Sequence, residues 1–432
     1  MKIMRSSLFL LIAILFVLTG CGDNGESGGS ADDEVELHWS TVSNRSPQAA
    51  LEDAAIFVTN KLDAFEEENP HVNIKMDILS GDISEAMTRL LEQANQGRAP
   101  DVSIIDSYIF PRYIDYLQPL DDYMEEAGID IEDFFPFAQD IVTGPDGKVY
   151  GLYTSTDSRV LFYNTELVPE PPKTWDEVFE IGAELTEQGY EGFLYPGGRG
   201  EGAMVTTLWP LFWAQGGELV DDDGTPVFGD SENREKMLNV LNFIQDTVES
   251  GITPQRVASY GSESDLNEEL STGNVAMFMG GNWQDATMRD VLSEEEFEKW
   301  DVAHLPQLNE GHEVTSAGGW VWGIFAEEEE KQRAAFELVT DLFISEQGMG
   351  EYNSISGHLP ARLSVYDSEH YEGSVFNDSY VQFLEENARI RPSSTYYPEI
   401  SNQMQIAISE VVAGSKTPEQ ALDDAWEVVN NQ

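Results

Sequence analysis

The chain has 432 residues, of which 80 are acidic and 23 are basic, so its formal charge at pH 7 is −57. This negative charge repels nucleic acid and anionic membrane surfaces, and we exclude both as expected partners. Apolar residues make up 41% of the chain and aromatic residues 11%. This content is typical of a folded protein, so we interpret the charge as a solvated acidic surface.

The N-terminus has the layout of an export signal. Lys2 and Arg5 precede an apolar run from Leu8 to Leu18. The run is about half of the roughly 20 residues that a membrane-spanning helix needs, and no second long apolar segment follows. We therefore predict that residues 1–20 are a cleaved signal peptide and that the mature chain does not span the membrane.

Cys21, directly after the small residues that end the signal, is the only cysteine. It can form no internal disulfide, and its position resembles a lipobox, in which the thiol receives diacylglycerol and becomes the new N-terminus. The alternative is an ordinary cleaved signal with an incidental cysteine. Residues 21–34 have the composition of a flexible linker. We expect an exported protein, anchored by lipid to the outer face of the cytoplasmic membrane.

The first predicted elements alternate between strand and helix. Residues 35–39 alternate like a strand, and residues 51–65 carry apolar side chains at helical spacing. A second strand at 72–78, a second helix at 83–94 and a short buried strand at 102–105 follow. This order predicts an α/β fold with a mainly parallel sheet and helices on both faces. Ligands in such folds lie at the carboxyl ends of the strands.

Polar side chains follow two of these predicted strands. Ser43, Asn44 and Arg45 come after the first strand, and Asp106 and Tyr108 come after the third. Their location favours contact with a ligand, although loop caps of these residue types are also common.

A second α/β unit is predicted from residue 160 onward. The strand at 160–164 precedes Thr174 and Glu177, which fit a helix-capping box. Another strand at 275–279 ends at a pair of glycines, and Thr417 opens the last amphipathic helix. The length of the chain agrees with two or three domains.

Short motifs occur in a fixed order along the mature chain. They are FEEENP at 65–70, RAPDV at 98–102, QPLDDY at 118–123, DGKVYG at 146–151, PPKTWDE at 171–177, QGG at 215–217, GNVAM at 273–277, GNW at 281–283 and HLPAR at 358–362. In this order the motifs resemble the extracellular solute-binding proteins of ABC importers, the family that includes maltose-binding and multiple-sugar-binding proteins. The resemblance covers nearly all of the mature chain.

This resemblance implies a class II periplasmic-binding-protein fold, in which two α/β lobes enclose a ligand cleft. The N-terminal lobe would comprise residues 35–153 and 306–358, and the C-terminal lobe residues 158–302 and 365–432. Hinge strands would cross between the lobes at 154–157, 303–305 and 359–364. Each lobe would have a mainly parallel sheet flanked by helices.

The resemblance also implies a function. The protein would capture a sugar or oligosaccharide by lobe closure and deliver it to the permease subunits of the importer. It would act as a monomer, with no cofactor, no metal and no catalytic residue.

Aromatic faces for stacking on sugar rings are expected at two tryptophans. Trp283 follows a strand and two glycines that let the backbone approach a ligand closely. Trp320 follows Gly318 and Gly319 and matches a Gly-Gly motif of the family, although packing in the core is the rival role.

Polar ligand contacts are expected at three further positions. Asp157 lies where the family often places an acidic residue at the hinge, and a structural ion pair with Arg159 is its alternative role. Glu201 lies in a glycine-rich loop that resembles a sugar-contacting loop of some relatives. Tyr397 falls near an aromatic position that relatives use in the C-terminal lobe.

Other functions stay open at this stage. The same fold could bind a polyamine or another small solute, since acidic and aromatic residues suit cations. An exported carbohydrate-active enzyme is possible because 80 acids provide many carboxylate pairs, although no Gly-x-Ser-x-Gly, His-Glu-x-x-His or phosphate-loop motif is present. A ferric-ion binder could use Tyr396 and Tyr397, but the six histidines are scattered. A G-x-G-x-x-A pattern at 198–203 lies too far along the chain for a dinucleotide site.

Overall fold

Two β-sheets organise the computed structural model, which describes residues 34–309 and 312–431. The strands are β1 Val35–Thr41, β2 Val72–Ile78, β3 Val102–Asp106, β4 Gly151–Asp157, β5 Arg159–Asn164, β6 Met277–Gly281, β7 Trp300–Ala303, β8 Thr315–Ile324, β9 Leu359–Pro360 and β10 Ala388–Ile390. The predicted signal peptide, Cys21 and most of the predicted linker lie outside the described residues.

Sixteen α-helical segments surround the sheets in the described ranges. They are α1 Glu52–Glu68, α2 Ile83–Asn95, α3 Asp121–Ala127, α4 Pro136–Val142, α5 Trp175–Glu187, α6 Glu201–Ala203, α7 Trp209–Trp213, α8 Ser231–Glu249, α9 Asn267–Leu270, α10 Gln284–Val291, α11 Glu294–Phe297, α12 Glu329–Val339, α13 Glu346–Ser356, α14 Asn377–Asn387, α15 Tyr397–Val412 and α16 Pro418–Asn430. None of them, between residues 34 and 431, is both long enough and apolar enough to cross a bilayer.

The first sheet has the order β2-β1-β3-β8-β4-β9, with β10 beside the start of β8. We call the part of the protein built on the six ordered strands the N-terminal lobe, while β10 pairs with the first three residues of β8, which adjoin β5 of the other sheet. Strands β1, β2 and β3 are parallel, as the opening β-α-β-α-β pattern predicts. Along the six ordered strands, β4, β8 and β9 run antiparallel to their neighbours, whereas β10 runs parallel to β8. The sheet is therefore mixed, because the chain re-enters it from the other lobe.

The second sheet has the order β6-β5-β7, and both pairings are antiparallel. We call the part of the protein built on it the C-terminal lobe. The two-sheet α/β architecture is confirmed, but the expected mainly parallel sheet is wrong for these three strands. The two parallel contacts next to β6 are isolated bridges at Glu191 and Leu194, so a parallel extension of this sheet is present only in short pieces.

The chain changes sheet close to two of the three predicted hinge crossings, those at 154–157 and 303–305. Strand β4 in the first sheet passes through Ser158 into β5 of the second sheet, and β7 of the second sheet is followed by β8 of the first. Asn282 joins the crossings, because its Oδ1 accepts from the Ser158 amide at 2.8 Å and its Nδ2 donates to the Gly357 carbonyl at 2.6 Å. The three hinge crossings and the lobe boundaries stay predictions.

Local sequence signals start several helices at the predicted places. Thr174 and Glu177 form the capping box at the start of α5, and Thr417 and Gln420 form one at the start of α16. Each cap pairs backbone amides that have no partner within the helix. At the start of α2, Asp82 accepts from the amides of the first turn. Strands β1 and β3 are parallel, with Trp39 and Ser40 opposite Val102 and Ser103, so their carboxyl ends point to the same edge of the sheet.

A substitution at Gly319 tests how closely the backbone next to Trp320 is packed. Its φ is +146°, and an added Cβ would overlap the Ser155 carbonyl oxygen and the Tyr153 ring. Backbone strain and overpacking each cost on the order of 1–3 kcal/mol, so we expect Gly319→Ala to lower the free energy of unfolding by at least about 2 kcal/mol in urea titrations. Gly97→Ala is the control, because Gly97 also has a positive φ of +63° but open space around it. Equal losses in both variants would contradict the close-contact explanation.

Candidate functional site

A cavity of about 390 Å³ lies between the two lobes. Its wall includes polar and aromatic side chains from both sheets and from the crossings, namely Asn44, Asp106, Trp320 and Tyr352 with Asp157, Arg159 and His358, and Glu201, Glu263, Trp283 and Arg391. Four other hollows, of about 440 to 590 Å³, are larger. None of these four has a Phe, Tyr or Trp in its wall, so the smaller inter-lobe cavity is the better candidate.

Six of the residues predicted from the sequence line this cavity. They are Asn44, Asp106, Asp157, Glu201, Trp283 and Trp320. The two tryptophans are half-buried and approach from different lobes, Trp320 from β8 and Trp283 from the turn after β6. The structure thus brings together carboxylates and aromatic faces that are far apart in sequence. Their contact with a ligand stays a prediction.

Four of the predicted residues do not line the cavity. Ser43 is exposed, and its hydroxyl donates to the Gln48 carbonyl at 3.2 Å. Arg45, Tyr108 and Tyr397 are buried behind the wall. Strand ends and family position predict only the region in which a residue lies, whereas the direction of each side chain depends on packing.

Arg45 supports the aromatic part of the wall. Its Cζ lies 5.7 Å from the ring centroid of Trp320 and 5.2 Å from that of Tyr352. Its Nη2 donates to the Ser155 hydroxyl at 2.5 Å. Burial lowers the pKa of the Arg45 guanidinium, and Tyr352 and Asp157 oppose this effect. We infer that Arg45 orients Trp320 and Tyr352 from behind.

Trp283 is held by two other wall residues. Its ring stacks on His358, with centroids 5.5 Å apart and planes 13° apart, and the Arg159 Cζ lies 4.6 Å from the Trp283 ring centroid. Arg159 also forms ion pairs with Asp157 and with Glu263, the latter at 3.6 Å. The ion pair that the sequence left open for Asp157 is therefore present, and the same carboxylate lines the cavity.

The glycine-rich loop before Glu201 owes its composition to packing. A Cβ on Gly198 would lie 2.8 Å from the Ala258 carbonyl oxygen, and one on Gly200 would overlap Gly261. Only glycine permits this approach of two backbone segments. The loop thereby directs Glu201 into the cavity, where burial raises the pKa of the carboxyl and Arg391 opposes the rise.

Arg391 is the main cavity residue that the sequence did not reveal. Its guanidinium binds Asp106 at 2.6 Å and Glu201 at 3.0 Å. Burial raises the pKa of Asp106, and Arg391 opposes that shift too. The sequence contains one weak indication of this role. Two arginines, Arg389 and Arg391, precede Pro392 in a chain with few basic residues.

Glu263, Tyr352 and His358 were also missed as cavity residues. His358 belongs to the HLPAR motif, but the motif alone did not predict that His358 lines the cavity. In residues 34–309 and 312–431, no group of three or more His, Cys, Asp or Glu side chains could hold a metal ion. Tyr397, considered for a metal, instead donates a hydrogen bond to Glu201.

Comparisons with known proteins agree on one family. A family profile described as bacterial extracellular solute-binding protein matches residues 61–376. The arabinooligosaccharide-binding protein of Halalkalibacterium halodurans is 24% identical over 401 residues, which is 85% of this chain and 84% of that protein. The maltooligosaccharide ABC transporter solute-binding lipoprotein of Streptococcus pneumoniae is 20% identical over 439 residues, covering 98% and 96%.

A solved structure has the same fold. Maltose-bound MalE3 of T. maritima superposes with a TM-score of 0.76 at 22% identity, covering 92% of this chain and 99% of that one. At this identity the match shows that the fold is shared, and it confirms the two-lobe architecture.

The pH dependence of stability tests the lowered pKa of His358. Burial, with Arg45 nearby, holds the pKa of its imidazole well below the ordinary value. The unfolded chain takes up a proton near about pH 6.5 and the folded chain does not, so stability is lost as the pH falls below that value, by up to about 1.4 kcal/mol per pH unit. We expect His358→Gln to make this decline shallower, as measured by urea unfolding at about pH 7.5 and about pH 5. His38→Gln, at a half-exposed site outside the cavity, is the control. Equal changes in both variants would contradict the assignment to His358.

Proposed function

The chain belongs to the bacterial extracellular solute-binding protein family, and on that premise we propose that it is the substrate-binding component of an ABC importer with a sugar or oligosaccharide as its cargo. The chemistry of the inter-lobe cavity is the observation that carries this proposal. Sugars present apolar C–H faces and rings of hydroxyls, which suit aromatic rings and charged hydrogen-bonding groups respectively. Trp283 and Trp320 supply the rings, and Asp106, Asp157 and Glu201 supply acceptors.

The named relatives support a carbohydrate cargo. The relatives in Halalkalibacterium and Streptococcus are named for arabinooligosaccharides and maltooligosaccharides, and the superposed structure holds maltose. These cargoes differ in sugar and in linkage, so they favour the class of ligand rather than one compound. Their names describe binding proteins, and we accordingly propose that this chain returns its cargo unchanged.

Closure of the two lobes is the proposed mechanism of capture. The cavity has walls from both lobes, so a cargo makes its full set of contacts only when the lobes meet. A ligand that binds the closed form better than the open form shifts the population toward closure. The predicted crossings at 154–157, 303–305 and 359–364 would supply the hinge. The closed monomer would then deliver its cargo to the permease subunits.

A lipid anchor at Cys21 is the proposed means of retention at the outer face of the cytoplasmic membrane. The signal layout and the lack of any other cysteine support it. The Streptococcus relative is named a lipoprotein, which adds further support. The acidic linker after Cys21 would keep the folded lobes away from the membrane surface.

Removal of the thiol tests the anchor. We expect Cys21→Ser to move the exported protein from the membrane fraction to the soluble fraction, because one hydroxyl cannot replace the acyl chains. Fractionation followed by immunoblotting measures this, and Ser27→Ala in the linker is the control. Retention of the Cys21→Ser protein in the membrane fraction would contradict lipidation.

A ligand screen tests the cargo. The protein used begins at residue 21 with Cys21→Ser, and its melting temperature is followed with neutral malto-, arabino- and chito-oligosaccharides, with spermidine and with ferric citrate. Binding to the folded state at 100 times Kd adds about 2.7 kcal/mol of stability, so we expect a rise of a few degrees with one oligosaccharide class. A rise only with spermidine or ferric citrate would overturn the sugar proposal, and conversion of the sugar would indicate an enzyme.

Single tryptophan variants locate the site. Each stacking ring buries apolar surface worth roughly 1.5–3 kcal/mol, so we expect Trp283→Ala and Trp320→Ala each to weaken binding of the identified sugar about 10- to 150-fold by calorimetry. Trp426→Ala, a partly buried tryptophan of α16 outside the cavity, is the matched control. Unchanged affinity in both cavity variants would place the cargo elsewhere.

A further inference from the structure

One arginine spans the cleft between the lobes. Arg391 follows β10 and is 8% exposed. Its Nη2 donates to Asp106 Oδ1 at 2.6 Å, and its Nη1 donates to Glu201 Oε1 at 3.0 Å. Asp106 ends β3 of the N-terminal lobe, and Glu201 begins α6 of the C-terminal lobe. A single guanidinium therefore bonds carboxylates on both sides of the cleft.

Most side-chain contacts that hold Glu201 and Arg391 come from the C-terminal lobe. Glu201 also accepts hydrogen bonds from the hydroxyls of Tyr397 and Ser401, both on α15. Beside Arg391, Arg389 pairs with Glu218, and Ser394 donates to the Gly224 carbonyl at 2.6 Å. Strand β10 itself pairs with the first three residues of β8, where the Thr315 hydroxyl bonds the Arg159 backbone of β5 in the C-terminal lobe. When the lobes separate, Arg391 and Glu201 can stay together, whereas the bond to Asp106 must break.

Other inter-lobe contacts surround the bridge. The Arg391 Cζ lies 4.2 Å from the ring centroid of Tyr108, and the Tyr108 and Tyr397 centroids are 4.9 Å apart. The backbone amide of Glu201 donates to Asp82 Oδ2 at 3.3 Å. Tyr108 and Asp82 belong to the N-terminal lobe, and these contacts involve protein groups alone.

We propose that Arg391 is a positioning residue that holds the lobes closed before any cargo arrives. The fork of a guanidinium can bond two carboxylates at once, which a lysine ammonium at the same site does less well. Because desolvation offsets much of the attraction in a buried ion pair, the bridge adds a moderate bias and leaves the open form accessible to cargo. The empty protein would then populate the closed form, and Asp106 would be the group that releases it.

This inference refines the closing step of the proposed function, but its test needs no cargo. Failure of the bridge would leave sugar capture intact, and failure of the sugar screen would leave the bridge intact. The two results are therefore distinguishable.

Small-angle X-ray scattering of the unliganded protein tests the inference. The protein begins at residue 21 with Cys21→Ser and is dialysed against buffer without sugar. A compact chain of about 400 residues has a radius of gyration of about 21 Å, and we expect Arg391→Met to raise the measured value by on the order of 1 Å. Arg234→Met is the matched control, since it removes a part-exposed ion pair with Asp423 between α8 and α16 of the C-terminal lobe. It is expected to leave the radius unchanged.

A second variant keeps the test valid if Arg391→Met folds poorly. Asp106→Asn leaves the Arg391–Glu201 pair in place and removes only the charge on the opposite lobe, so we expect the same increase in radius. Arg391→Lys should give an intermediate value. Circular dichroism and thermal melting establish that each variant is folded. Unchanged radii for folded Asp106→Asn and Arg391→Lys, or a wild-type protein already as extended as the variants, would overturn the proposal.

Discussion

Two buried arginines, each shared by two carboxylates, organise the cleft of this protein. Arg159 pairs with Asp157 and Glu263, and Arg391 pairs with Asp106 and Glu201. In a chain with a charge of −57, buried carboxylates without such partners would be costly. The arginines thus allow four carboxylates to lie in one cavity, and the carboxylates in turn fix the position of each guanidinium.

The aromatic side chains of the cavity depend on the same charges. Arg159 lies against Trp283, and Arg391 lies against Tyr108. Arg45 lies against Trp320 and Tyr352 without a carboxylate partner among the described residues, and its burial is offset by these rings and by the nearby charge of Asp157. Polar and stacking groups are consequently held in one arrangement before a ligand enters. Such preorganisation lowers the ordering cost of binding.

Arg159 and Arg391 occupy different places in the fold. Arg159 lies directly after the first crossing between lobes, and its backbone amide donates to the Thr315 hydroxyl at the start of β8 at 2.7 Å. In the proposed closure it would connect groups beside the hinge. Arg391 lies far along the chain and bonds Asp106 at the end of β3 and Glu201 at the start of α6. One charge pair would therefore lie at the proposed hinge and the other between the proposed moving faces.

Much of the fold was readable from the sequence. Apolar periodicity predicted β1, α1, β2, α2 and β3 to within a few residues, because strands and helices bury one face at periods of 2 and 3.6. Capping residues located the starts of α5 and α16, since caps act within one turn. The ordered motifs indicated the family. The antiparallel course of β8 was not readable, because strand direction depends on where the chain re-enters a sheet.

The sequence by itself determined the export signal layout, the α/β class, the family resemblance and six of the cavity residues, since each rests on short-range pattern, on position after a strand or on the family resemblance. Only the tertiary structure decided that Arg45, Tyr108 and Tyr397 lie behind the wall and that Arg391 lies in it. Arg391 is 190 residues away from Glu201 and 285 from Asp106. No spacing rule joins residues so far apart. The contact with Glu201 needs distant segments of the chain to fold into one lobe, and the contact with Asp106 needs the two lobes to meet.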